Sequence, residues 1–309
     1  MQKQSQHVVK GIILAALASV MWGISGTILQ FISQTAHIPA AWFLSVRTLI
    51  SGVIILTISF FVYGTKIFTV FKDRRQAFYL FAYGIFGLAL NLLTFYHSVQ
   101  LGNSAMATIL QYLSPLFIVL GTVVLERQWP LRSDLIAFVI ALVGIFLSIT
   151  RGDISQLSIP MSAFLWGLGS GITAAFYVVL PRPVVAEHPP FVVLGWGTLI
   201  AGVFFNIQRP LWVGAPALNM KLVLAIGAVI LLGTILPFGT LLYSLHFAPA
   251  DVVSIMDAVQ PLATLVLSVI FFSLHLTWAE IIGSILVIVG IYVLQRGRRQ
   301  VEQDTQRFE

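Results

Sequence analysis

Long apolar stretches, parted by short polar breaks, run through this chain from end to end. Each is close to the length of a helix that crosses a bilayer, about 20 residues at roughly 1.5 Å rise each. The pattern predicts spans near 11–32, 40–63, 77–98, 104–125, 133–150, 161–181, 190–207, 221–246, 250–272 and 278–295. In hydrocarbon every backbone polar group has to find its partner within the protein, so each span is predicted to be a helix. A membrane β-barrel would need alternating apolar and polar positions in stretches of about ten. Unbroken runs such as Leu135 to Ile149 and Ile281 to Leu294 argue against it. The longest connections, near 64–76 and 208–220, are too short to hold an extramembrane domain. The first run, Gly11 to Ile32, is long for a signal-peptide core and more spans follow at once, so it reads as a retained helix. Residues 296–309 are polar and are expected to form a disordered cytoplasmic tail.

Composition narrows the class. Of 309 residues, 58% are hydrophobic and 9% charged, with mean hydropathy +0.96. A soluble domain carries about 25% charged residues. So few charges cannot build a water-facing surface, and lipid has to cover most of the exterior. Cysteine is absent, which removes disulfides, thiolate metal sites and a cysteine nucleophile. The net charge of +6 is scattered through short loops, so it does not point to nucleic acid. It reads instead as a topology signal. Lys3, Lys10, Lys66, Lys72, Arg74, Arg75, Arg127, Arg132, Arg182, Arg296, Arg298, Arg299 and Arg307 fall on one side, and Arg151, Arg209 and Lys221 on the other. Arg47 lies within a span. The asymmetry predicts that both termini are cytoplasmic and that the number of spans is even.

The chain also repeats itself. At an offset of 146, Gly87–Ile145 aligns without a gap on Gly233–Ile291. Gly87 pairs with Gly233, Thr94 with Thr240, Ser98 with Ser244 and Ile109 with Ile255, and Pro115-Leu116 pairs with Pro261-Leu262. Val143-Gly144-Ile145 pairs with Val289-Gly290-Ile291. The second spans match at offset 150, Thr48-Leu49-Ile50 and Gly52-Val53 with Thr198-Leu199-Ile200 and Gly202-Val203. The first spans of the halves align poorly. Five spans per half is an odd number, so the second half enters the membrane from the opposite side. The expected fold is all-α: ten transmembrane helices as two inverted five-helix repeats, at 11–150 and 160–295. Exchange of packings between such halves suits alternating access.

Two halves of five spans, Trp22-Gly23 in the first helix, Leu-Ser-Pro-Leu at 113–116, Leu125-Glu126-Arg127 after span four, and Gly144 with Gly290 together resemble the EamA-type transporters of the drug/metabolite transporter superfamily. The resemblance covers nearly the whole chain. It implies a ten-helix bundle around a central cavity, and movement of amino acids, amines, carboxylates or similar metabolites. One departure stands out: the repeat partner of Glu126 is Phe272, so whatever Glu126 does is not duplicated.

Polar groups within hydrocarbon are costly, about 2.5–3.5 kcal/mol for Arg or Asp at a helix centre, so the few present are candidates for function. Arg47, whose repeat partner is Gly197, could anchor a carboxylate through its planar fork, pair with a helix-end carbonyl, or snorkel to the interface. Asp257, whose partner is Gln111, could bind a substrate ammonium, couple protons, or serve as a packing carboxylate. The two charges could also neutralise each other when the site is empty. Pro115 and Pro261 each lie four residues after these polar groups, and Pro237 stands opposite Asn91, so kinks are expected at all three prolines. Gln260 shares the face of Asp257. Asn91, Phe95 and Ser98 form one stripe of span three. Trp22, Tyr96, Tyr112, Phe176, Tyr177 and Tyr243 could line an aromatic pocket, whereas Trp129, Trp212 and Trp278 read as interface anchors. Gly167 and Gly171 form a close-packing pair. Glu126, Arg127 and Arg132 read as a cytoplasmic cluster. His97 and His246 lie at opposite ends of the membrane and make no metal-ligand spacing.

The chain has no phosphate-binding loop and no loop able to hold a nucleotide domain, so ATP is not the direct energy source. The expected function is a multi-pass secondary transporter of small polar metabolites in the plasma membrane. No cofactor and no metal is expected, protons are a candidate coupling ion, and a homodimer is allowed. A lipid or polyprenyl-carrier flippase would show a lateral opening with a basic rim. An intramembrane enzyme would need paired catalytic groups, and Asp251 and Asp257, six apart on a helix, make a poor pair.

Overall fold

The computed structural model describes residues 2–308 apart from 126, 128, 152–156, 250–252, 254 and 255, and side chains within 8–300 with residue 125 further excepted. Glu126 and Asp251 therefore lie outside the described residues. Among the described residues nine helices are long and apolar enough to cross a membrane. These are α1 (Val8–Thr35), α2 (Ala40–Phe71), α3 (Arg74–Leu101), α4 (Ser104–Val124), α5 (Arg132–Thr150), α6 (Met161–Val185), α7 (Pro190–Gln208), α8 (Met220–Ser244) and the last, α10 (Trp278–Gln300). Between α8 and α10 lies a shorter apolar helix, α9 (Val259–Phe272).

Local sequence explains where the helices begin. An extended proline leads into α2 at Pro39 and into α7 at Pro189, 150 residues apart as in the repeat. The Asp134 carboxylate accepts from Leu131 N at the start of α5 (3.0 Å). Glu280, its partner at offset 146, accepts from Thr277 N at the start of α10 (2.9 Å). Each satisfies one of the amides that open a helix.

Two pairs of helices that match in the repeat, α2 with α7 and α5 with α10, pack on one another, and they do so antiparallel. A Cβ on Gly52 of α2 would lie 2.7 Å from Leu199 N of α7, and one on Gly202 would lie 2.7 Å from Leu49 N of α2. In α5 and α10, a Cβ on Gly144 would lie 2.6 Å from Gly283 O, and one on Gly290 would lie 3.0 Å from Ala137 O. Both ends of that pair are tied by charge: Asp134 Oδ2 to Arg298 Nη2 at 2.8 Å and Arg151 Nε to Glu280 Oε1 at 2.9 Å. The remaining contacts cross over, since α6 packs on α3 and α4 while α1 packs on α8 and α9. Large side chains such as Leu135, Leu142 and Phe146 of α5 point outward, and Ala137, Ala141 and Gly144 point in. This is the arrangement expected where lipid supplies no hydrophobic drive and backbones have to approach closely.

Several breaks interrupt the helices. α4 is two pieces, Ser104–Gln111 and Ser114–Leu125, parted by a turn at 112–113 just before Pro115. α9 follows a turn at 257–258, just before Pro261. Proline explains both, because its missing N–H leaves the carbonyl four residues back without a donor. The expected kink at Pro237 takes another form. α8 carries a π segment, Leu231–Ile235, that ends before the proline, and α3 carries one at Tyr83–Ala89 in matching register. α3 has Asn91 where α8 has Pro237, so the proline does not cause the segment. One further expectation fails. The tail past 296 is not disordered but continues the last helix, Trp278–Phe308. Of the ninth span, expected at 250–272, Val259–Phe272 is a helix, and residues 250–252, 254 and 255 lie outside the described residues.

The glycine crossings yield the first prediction. Gly144→Val sets a side chain against the α10 backbone, and overpacking of this kind costs about 1–3 kcal/mol. Gly121, where a Cβ would meet nothing within 4 Å, tolerates Ala with no loss. Thermal unfolding of the purified variants in detergent should show a clear fall in Tm for Gly144→Val and none for Gly121→Ala.

Candidate functional site

The four helices of each half that are not in the α5–α10 pair surround a cavity of about 350 Å3. Arg47, Asn91, Gln111, Trp22, Tyr112, Tyr177, Asp257 and Gln260 all line it. The structure thus brings together residues spread over more than two hundred positions of the chain.

Arg47 of α2 is buried, at 8% exposure. Its Nη2 donates to Gly233 O at 3.2 Å and to Thr234 Oγ1 at 3.3 Å, and its Nε donates to Thr234 Oγ1 at 3.4 Å. Gly233 O is the carbonyl four residues before Pro237, which has no N–H to offer it. The guanidinium takes the place of that missing donor. A Cβ at Gly233 would collide with Ser25 Oγ and come within 3.1 Å of Arg47 Nη2, so glycine is what allows the approach. Of the alternatives open in the sequence, pairing with a carbonyl is what is seen. Among the described residues, nothing accepts from Nη1 of the fork.

Asp257 sits at the turn that precedes α9, and its backbone O accepts from Gln260 N at 3.0 Å. Its Oδ1 is buried and has no protein partner. Among the described residues there are two ion pairs, and neither joins Arg47 to Asp257. Mutual neutralisation of the two charges is therefore not what this structure shows. A buried carboxylate oxygen without a donor is costly, which marks the position as one that a ligand or a proton would relieve.

The matching sites in the first half are satisfied. Gln111 Nε2 donates to Asn91 Oδ1 (3.2 Å) and to Ser170 Oγ (3.0 Å). Asn91 Nδ2 donates to Ser170 O (3.0 Å) and Thr173 Oγ1 (3.3 Å). This amide network ties α3, α4 and α6 together beside the cavity. It is the interhelical bonding that polar residues commonly provide in membranes. Gly167 and Gly171 of α6 allow it, since both press against Leu110, the residue before Gln111.

Aromatic side chains form one wall. Trp22 meets Phe238 edge-on at 5.1 Å between ring centroids, and Tyr177 lies 6.3 Å from Phe238 and 5.6 Å from Tyr83. Three aromatic candidates belong elsewhere. Tyr96 is fully buried with its hydroxyl on Ile38 O, and Phe176 and Tyr243 face outward. Phe95 lines the cavity, whereas Ser98 of the same stripe bonds Ala163 O at 3.0 Å. The sequence reading missed Phe238, Ser25 and Thr234. Phe238 had a usable signal, because it follows the kink proline directly. Trp129, Trp212 and Trp278 are well exposed at helix ends, as interface anchors should be. Among the described residues no group of three or more His, Asp or Glu side chains is placed to hold a metal ion.

Comparison with known proteins adds the family. Residues 9–150 and 161–296 each match the EamA-like transporter family. An uncharacterized inner membrane transporter of Salmonella typhimurium, YicL, is 30% identical over 94% of this chain and 97% of its own length. The threonine/homoserine exporter RhtA of Escherichia coli K12 is 27% identical over 88% of this chain and 86% of its own. A solved crystal structure superposes with a TM-score of 0.63 at 17% identity, covering 96% of this chain and 99% of that one, which shows a shared fold. Apolar spans throughout, a cavity enclosed by both halves and matched transporters over nearly full length describe a multi-pass transporter of the cell membrane: the chain belongs to the EamA-like transporter family.

Proposed function

We propose that this protein carries small zwitterionic metabolites, amino acids and their close relatives, by alternating access through the cavity between Arg47 and Asp257. One observation carries the reading: a cation and a buried carboxylate line the same chamber without pairing to each other. In this reading the unbonded Nη1 face of Arg47 receives the substrate carboxylate. The Asp257 carboxylate receives the ammonium, or a proton when no substrate is bound. The aromatic wall of Trp22, Tyr177 and Phe238 packs the side chain. A cavity of about 350 Å3 falls near the lower end of small-ligand pockets. The names of the RhtA relatives agree in class.

The mechanism rests on two halves, 11–150 and 160–295, each contributing five helices in opposite orientation, with both termini in the cytoplasm. Reciprocal glycine contacts between α2 and α7 and between α5 and α10 support that arrangement, and so does the bias of Lys and Arg. Swapping the packings of the halves turns an inward-facing cavity into an outward-facing one at similar energy. A flippase is the weaker reading. Arg47 is the one cation among the described lining residues, and Gly233 and Thr234 already occupy part of its fork. That is not the basic rim a phosphorylated headgroup needs.

Two tests follow from the unpaired charges. In proteoliposomes loaded with labelled threonine or homoserine, Asp257→Asn and Arg47→Ala should each cut the exchange rate at least about tenfold, while gel filtration shows a folded protein. Arg47→Lys should also fail, because a point charge cannot bond Gly233 O and a carboxylate in the same plane. Full exchange by both Asp257→Asn and Arg47→Ala would remove the site assignment. Second, a bound substrate should raise the Tm of the purified protein. At a concentration of 100 times Kd the gain is about 2.7 kcal/mol. Zwitterions should stabilise more than the corresponding amines or carboxylic acids, and Asp257→Asn should erase the difference between zwitterion and acid.

A further inference from the structure

Away from the cavity, one end of the bundle is fastened by a line of polar side chains that the site does not use. It begins on α9. Ser268 Oγ lies 3.0 Å from Ser104 Oγ of α4. Ser104 Oγ donates to Gln30 Oε1 of α1 at 2.8 Å, and Ser104 N donates to the same oxygen at 2.9 Å. Gln30 Nε2 donates to Gln34 Oε1 at 3.1 Å. Gln34 Nε2 then reaches the last carbonyls of α3, Val99 O at 2.7 Å and Gly102 O at 2.7 Å. Gln30, Ser104 and Ser268 are all buried, the two serines completely.

The direction of every bond in this line is fixed. Ser104 N can only donate, so the oxygen of Gln30 has to face it, and its nitrogen then faces Gln34. The Ser104 hydroxyl spends its single proton on Gln30, so the proton between the serines belongs to Ser268. Four helices are joined in one donor-to-acceptor chain, in which each bond strengthens the next. The Ser268–Ser104 bond is the link that crosses from the second half of the protein to the first. α1 changes to a π segment, Phe31–Thr35, immediately after Gln30.

The repeat does not rebuild this line at the other end. At offset 146, Ser268 matches Thr122 and Ser104 matches Ala250. Thr122 donates to Val119 O of its own helix at 2.8 Å, and alanine has no polar side chain. Exchanging the packings of the two halves therefore breaks one line of hydrogen bonds without forming its counterpart.

We infer that Gln30, Ser104 and Ser268 form a gate latch that holds the cavity shut at the Gln34 end and biases the transporter toward opening at the opposite end. The inference rests on the alternating-access reading. It adds that the two closures are unequal, and it names the bonds that make them so. By the charge bias the latched end is the outer one, so the resting protein presents its cavity to the cytoplasm. That orientation suits loading of an exported solute.

The chain has no cysteine, so a single probe can be placed without removing others. Thr108 lines the cavity one turn inside Ser104. In Thr108→Cys, a membrane-impermeant maleimide applied to either face of oriented vesicles reads access from that side. Adding Ser268→Ala removes the cross-half bond. It leaves the Ser104–Gln30 bond intact and changes the volume by one oxygen, so the fold is retained. Labelling from the outer face should rise at least about fivefold, and labelling from the cytoplasmic face should fall. Ser268→Thr keeps the hydroxyl and should label like the parent. Unchanged rates in Ser268→Ala, with the parent labelled from both faces, would overturn the latch and leave alternating access standing. Labelling from one face only in every variant would overturn both.

Discussion

A backbone carbonyl in hydrocarbon has no water to turn to, and that constraint organises the whole of this protein. Most of the chain meets it with unbroken helices. Threonines within them find partners locally: Thr48, Thr108, Thr198 and Thr264 all donate to the carbonyl four residues back, so each hydroxyl is satisfied inside its own helix. Some of the exceptions lie where prolines interrupt. Pro115, Pro237 and Pro261 each remove the amide that would serve the carbonyl four residues back, and those carbonyls belong to Gln111, Gly233 and Asp257, all beside the cavity. Irregular backbone is tolerated at this depth only where it borders such a chamber.

Close packing follows from the same solvent. Lipid tails are as apolar as leucine, so helices gain nothing by hiding leucines from them. Contact has to come from shape. Gly52 with Gly202, and Gly144 with Gly283, let antiparallel backbones touch, and the aliphatic side chains turn outward. The charges at the ends of α5 and α10 complete that pair, with each carboxylate also capping its own helix start. These two helices make no wall of the cavity. They read as a fixed post beside the elements that line it.

How much of this could be read in the sequence depended on the kind of partner each residue has. Spans were legible because apolar length is a property of the chain alone. The turns before Pro115 and Pro261 were legible because a missing N–H acts locally. Of the cavity-lining candidates, Arg47, Asn91, Gln111, Asp257 and Gln260 were legible because charge and amide groups are scarce in so apolar a chain, and scarcity itself is the signal. The partner of Arg47 was not. It is a backbone oxygen freed by a proline on another helix, and backbone atoms carry no sequence mark. Gln30, Ser104 and Ser268 were missed because small neutral polar residues are common in membrane helices and most bond within their own turn. Tyr96, Phe176 and Tyr243 were misplaced for a related reason: the face of a helix that is apolar all round cannot be told from composition. The helical tail past residue 296 extends an existing helix, so it does not pay for nucleation, and its polarity did not prevent it.

The chemistry of the site arises where the two halves differ. Arg47 faces a repeat partner of Gly197, Asp257 faces Gln111, and Pro237 faces Asn91. In the first half the polar positions are amides that satisfy one another, and that network holds three helices in place. In the second half the carboxylate is left unsatisfied, and the freed carbonyl of Gly233 draws the guanidinium across. A perfectly symmetric duplication would give either two satisfied amide networks, with nothing to bind a charged solute, or two buried carboxylates that repel. Dividing the roles gives one rigid side and one reactive side. On the proposed reading, the scaffold exchanges its packings because it is symmetric, and it holds a dipolar ligand because its side chains are not.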